Sequence, residues 1–178
     1  METLNSKIRT AVESDIRTAF RGVTLGSGLS LRRAQSVDSI GAGAQKRSSG
    51  SFAEPEVTDD WSRVSLDELE RDCTAHLDAL GFRYYIPALM LSVLAHQESS
   101  SMRVIGTLSG LYPKKGNEWE YHMHRYSLLS PVQKGAIARF LAELPKLVEL
   151  GHEHRKVVER ALRNYWGEYL QEPAPFTG

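Results

Sequence analysis

The chain has 178 residues, 41% hydrophobic and 25% charged, and its 22 basic and 22 acidic side chains give a formal net charge of zero. That length suits one domain, read here as residues 1–178, able to bury roughly 70% of its unfolded surface without staples. Neutrality argues against a general polyanion binder, the apolar content excludes a wholly disordered acidic chain, and a lone cysteine, Cys73, excludes an internal disulfide framework. In chain order, residues 4–20 come first. Leu4, Ile8, Val12, Ile16 and Phe20 recur at helical spacing with charges between them. This segment is an amphipathic helix stopped by Gly22, and it lacks the apolar run of a signal peptide. A short helix should follow Ser30, a suitable N-cap. Residues 41–54, GAGAQKRSSGSFAE, are small and polar and read as a flexible linker or disordered loop.

Ser65-Leu66-Asp67-Glu68 has the pattern of a capping box, and Leu66, Leu69, Cys73, Leu77 and Leu80 continue it as an apolar stripe to Gly81, a C-cap. After the aromatic run Phe82–Ile86, Pro87 suits a first helical turn. Residues 87–97 are apolar on nearly every side, so they are expected to form the buried central helix. The longest apolar stretch, Ile86–Ala95, is well short of the about 20 residues a membrane span needs. Trp119, Tyr121 and Met123 alternate with polar residues, which suggests a short β-hairpin near 107–126. Ser130-Pro131-Val132-Gln133 is a second capping box. Its helix should end or kink at Pro145. A final helix spans 146–170, broken near Gly151, and residues 171–178 form a frayed tail. The expected fold is all-α: an irregular bundle of about five helices around the buried 87–97 helix, with one short hairpin.

Several segments taken together resemble a known family. They are Leu29-Ser30-Leu31 with Ala34 and Asp38, Asp60-Trp61, Gly81 through Met90 (GFRYYIPALM), and Leu129-Ser130-Pro131 through Leu141. In that order they are similar to the bacterial domain of unknown function 6714, over roughly residues 8–166. The resemblance implies a small, mostly helical bacterial protein. It carries no activity, so no catalytic residue is implied.

The neutral total conceals three blocks. Residues 1–54 carry 8 basic and 5 acidic side chains, 55–78 carry 2 and 8, and 79–178 carry 12 and 9. The acidic block holds Asp59, Asp60, Asp67 and Glu70 around Trp61. Aromatic anchors with charged rims suit protein interfaces. The same residues read better still as helix caps and solvated surface around a core Trp61.

Histidine offers a second site. His122 and His124 on one face of a strand would stand about 7 Å apart and could seat a metal with a third ligand. They could also be polar residues of an exposed edge. His152 and His154 on a helix point about 200° apart and cannot share an ion unless Gly151 breaks the helix. His96 with Glu98 and Ser99 could form a polar cluster or simply face the negative end of a helix. No nucleophile elbow, P-loop or dinucleotide fingerprint is present. Arg32-Arg33 and Lys46-Arg47 lack the interleaved aromatics of a nucleic-acid surface.

The sequence therefore points first to a non-catalytic cytoplasmic protein that binds another protein, of immunity or adaptor type. It involves no cofactor, nucleic acid or membrane. The alternative is a metal-dependent or hydrolytic enzyme using His122, His124 and His96.

Overall fold

A computed structural model describes residues 3–34, 55–70, 74–95 and 102–170. Among them the protein is all-α, with no strand. The helices are α1 (Leu4–Ala19), α2 (residues 31–34), α3 (Leu66–Leu69), α4 (Ala79–Ala95), α5 (Met102–Leu111), α6 (Trp119–Tyr126), α7 (Pro131–Leu147) and α8 (His152–Asn164). Single 3-10 turns form at Trp61–Arg63, Thr74–His76 and Trp166–Tyr169. The predicted 41–54 linker and 171–178 tail lie outside the described residues, as do Cys73, Lys46-Arg47 and the His96, Glu98, Ser99 group.

Local capping rules set several boundaries as expected. Ser30 opens α2, its hydroxyl accepting from the Arg33 N–H at 3.2 Å. The box at α7 is complete. Ser130 Oγ accepts from the Gln133 N–H at 3.2 Å, and Gln133 Oε1 accepts from the Ser130 N–H at 3.0 Å. Pro131 sits in the first turn, where its missing donor costs nothing.

The central helix is buried on all sides as predicted, but it starts at Ala79, eight residues before the expected Pro87. Gly81 is therefore no C-cap. It lies in the first turn of α4, where the 25–29 loop crosses the helix backbone to backbone. A Cβ at Gly28 would meet Leu80 Cβ at 2.7 Å, and one at Gly81 would run into the Leu29 carbonyl oxygen. Asp78 fixes this crossing, because its Oδ1 accepts from both the Gly81 N–H (2.7 Å) and the Leu29 N–H (3.1 Å). The expected hairpin is replaced by α5 and α6. The alternation of Trp119, Tyr121 and Met123 gives way to a helical face of Trp119, His122 and Tyr126. Pro145 is held inside α7, which runs on to Leu147, and α8 starts only after Gly151.

The other elements wrap α4, which packs against α1, α3, α5, α6, α7 and the Trp61 turn. Two helix ends meet at one side chain. The Arg9 guanidinium donates to the Leu94 carbonyl near the end of α4, and to the Leu147 carbonyl at the end of α7 at 2.9 Å. A cation there satisfies carbonyls that have no intrahelical donor and opposes both helix dipoles. The far end of the bundle is closed similarly. The Tyr126 hydroxyl donates to Gly110 O (2.7 Å) and the Trp166 indole to Leu111 O (2.7 Å), capping α5.

The glycine crossing predicts a contrast. Gly81→Ala should lower stability by about 1–3 kcal/mol, since backbone must move to admit the methyl group. Gly135→Ala, in α7, meets only ordinary contact with the Tyr169 carbonyl at 3.6 Å and should be neutral or gain up to about 1 kcal/mol. Urea-unfolding midpoints check both. Equal midpoints for the two variants would contradict the crossing.

Candidate interaction site around helix α3

The acidic block folds into the Trp61 turn, α3 and the approach to α4, and the fold itself uses much of its charge. Asp60 caps the first turn, accepting from the Ser62 N–H at 3.0 Å and the Ser62 hydroxyl at 2.7 Å. Those two Ser62 bonds, the hydroxyl first, hold the Asp60 carboxyl below its usual range. Asp78 is the double acceptor described above. Glu70 pairs with Arg103 of α5 at 3.5 Å.

Glu68 departs from the sequence expectation. Half of the predicted capping box forms, with Ser65 Oγ accepting from the Glu68 N–H at 3.3 Å. The carboxylate, however, turns inward instead of reaching back to Ser65. It is buried at 2% exposure and accepts from Arg32 Nε and Nη2 (both 3.1 Å) and from the Tyr85 hydroxyl (3.1 Å). One carboxylate thus ties α2, α3 and α4 together. Burial, then the Glu68 charge, pushes the Tyr85 phenol well above its usual range, so it remains a donor. Tyr84 is pushed up by burial and then by Asp59, Asp60 and Glu68.

Trp61 is not a surface anchor. It is 5% exposed, and its indole N–H donates to the Phe20 carbonyl at 2.8 Å. The exposed apolar residue of this region is Leu66, at 45% exposure. The sequence pattern puts Leu66 on a long apolar stripe, but α3 ends at Leu69 and the Leu66 side chain stays outside. A cleft of about 370 Å³ lies beside it, with Val64, Leu69, Ala88 and Leu91 among its apolar lining and Glu13 and Arg17 of α1 on its edge. A second cleft, about 400 Å³, adjoins it through Arg17, Trp61 and Ser62 and reaches Asp59, Asp60 and Arg21. Asp59, Asp67 and Glu70 are exposed. Leu66, Val64, Leu91 and Glu13 were missed as site residues. The one available signal was a leucine placed directly after an N-cap.

The two candidate metal ligands are not brought together. His122 is buried on α6 and His124 is exposed on it, because residues two apart on a helix point about 200° apart. The shared strand face that motivated the pair does not form. Among the described residues no group of three or more His, Cys, Asp or Glu side chains could hold a metal ion. Likewise, no helix of the described residues is long and apolar enough to cross a membrane.

Fold and site define a small all-α protein with a shallow apolar cleft edged by both acidic and basic side chains. The chain belongs to DUF6714, a family of unknown function, which matches it over residues 8–170. This is the family to which the GFRYYIPALM segment and its companions pointed. No curated protein and no solved structure matches the chain.

The buried carboxylate gives a second prediction. Glu68→Ala leaves Arg32 and Tyr85 without their shared acceptor and should cost about 3 kcal/mol. In a double-mutant cycle with Arg32→Ala, chemical denaturation should show coupling of at least about 0.5 kcal/mol. Additive losses would mean that the pair contributes nothing specific.

Proposed function

We propose that this protein is a non-catalytic, cytoplasmic protein-binding protein whose partner docks on the face formed by α3, the Trp61 turn and the exposed edge of α4. The observation that carries this reading is Leu66, 45% exposed at the lip of an apolar cleft. The helix is short, its other apolar residue Leu69 packs inward, and Leu66 is left available. Asp59 lines the adjoining cleft and Asp67 is exposed on α3 next to Leu66, acids that favour encounter with a basic surface and set orientation more than affinity. The cleft is small, so it accommodates one or two apolar side chains of a partner. Most of an interface of ordinary size, about 800 Å² per partner, would lie on the surrounding rim.

A photo-crosslinking residue placed at position 66 tests this in the protein's native cells. The expected result is one dominant protein adduct that disappears in the Asp59→Lys/Asp67→Lys variant while the fold is retained. A matched probe at Ser109, exposed on α5, provides the background. Adducts at 66 no stronger or more selective than at 109 would refute the site.

A further inference from the structure

A larger groove, about 650 Å³, runs between α1 and α7 and reaches Tyr169 and Leu170. Its apolar surface includes Ala19, Val132, Ala136, Ala142 and Leu170, and of these Val132 is 66% exposed and Leu170 43%. Its charged side chains already answer one another. Arg139 donates to Asp15 of α1, and Glu143 pairs with Lys146 at 2.8 Å. The surface left to cover is therefore apolar, and a segment that lies on it without cost is uncharged there.

The chain itself is led into this groove. The Trp166–Tyr169 turn packs on α7. It brings the Tyr169 carbonyl over Gly135, where an added Cβ would stand 3.6 Å from that oxygen. Leu170, the last described residue, lines the groove. The sequence then continues Gln171-Glu172-Pro173-Ala174-Pro175-Phe176-Thr177-Gly178. Residues 173–176 carry no charge, and Glu172 is the one charged side chain of the segment. Lys134 stands beside Tyr169 as a cation for it, its ammonium donating to the Tyr169 hydroxyl at 3.3 Å. Pro173 and Pro175 bring no N–H to desolvate and favour an extended polyproline conformation, about 3.1 Å per residue. Phe176 then reaches about 19 Å from Leu170. Along α7 the groove runs from Val132 to Ala142, about 15 Å of helix, so this reach spans it.

We propose that residues 171–178 are a strap that lies in the α1–α7 groove of the same molecule, with Phe176 packed on its alanine floor. The strap takes the place of the frayed tail that composition alone suggests. Two features favour it over an outside ligand. The segment starts inside the groove, and a short tether gives an effective concentration in the millimolar range, so a contact too weak for a free peptide is populated in cis. The two prolines also have φ fixed beforehand, which lowers the entropy lost on docking.

NMR of the full chain tests this. Nuclear Overhauser contacts should join the Phe176 ring to the methyl groups of Ala136 or Ala142. The backbone order parameters of Ala174 and Phe176 should lie above about 0.6, the upper bound for a flexible segment. Phe176→Ala, outside the folded helices, should shift the same α1 and α7 amide signals as removal of residues 171–178, and should lose the order at Ala174. Order parameters below about 0.6 without Phe176 contacts would overturn the proposal. So would groove amides that Phe176→Ala leaves unmoved, or groove contacts made by residues 41–54 instead. A mixture of labelled and unlabelled chains separates the remaining case: contacts seen only between molecules would make a second copy the occupant and overturn the strap.

Discussion

The structure depends on one constraint: α4 has no face for water. Of its residues from Ala79 to Leu94, only Leu80, Arg83 and Leu91 fall outside the buried class. A helix of that kind cannot be stabilised by one partner and must be enclosed. Its neighbours follow from that need. Phe82 packs on Tyr126 of α6, and Arg9 of α1 closes the carbonyl end. A close backbone crossing at Gly28 and Gly81, held by Asp78, lets the chain pass over the helix start without a gap.

Much of this fold was legible in the sequence, and where it was not, the cause can be named. The helix of residues 4–20, the Ser30 cap and the Ser130–Gln133 box are written in local pattern, and the structure follows them. Gly81 and Pro87 are ordinarily punctuation, and they hid the first half of α4. Enclosure outweighs their weak helix propensity: Gly81 is required by the Leu29 contact, and Pro87, inside the helix, both removes the donor to the Arg83 carbonyl one turn back and crowds it, at a cost of about 3 kcal/mol. The false strand at 119–123 has a different origin. The inward side of α6 is His122, Arg125 and Tyr126. Two of these three are polar types, so hydrophobic periodicity could not show the helix. The cation lies over aromatic faces, and the histidine meets a phenol, contacts that only the assembled structure supplies.

The acidic block shows why charge counts alone did not locate a site. From sequence, eight carboxylates in 24 residues look like a surface. In the fold, Asp60 and Asp78 act as caps, and Glu68 is a buried tie among three elements. The local rule for capping boxes had assigned the Glu68 side chain to Ser65. It could not see Arg32, 36 positions upstream, or Tyr85. Asp59, Asp67 and Glu70, the last paired with Arg103, are exposed in the same region as the exposed Leu66. The proposed docking face would thus be a by-product of how α4 is covered: α3 turns the Glu68 carboxylate and Leu69 inward and leaves Leu66 outward.

That division between a rigid enclosed helix and a thin platform tied to it has a direct physical signature. Amide hydrogen exchange, measured residue by residue on the free protein, reports the opening free energy of each segment. Amides of α4 from Tyr84 to Leu94 should exchange only through global unfolding, with protection that tracks denaturant stability. Those of α3 should exchange through a smaller local opening. If α4 exchanged at local-opening rates, or if α3 were as protected as α4, the enclosed helix would not be the frame on which the rest of the structure is built.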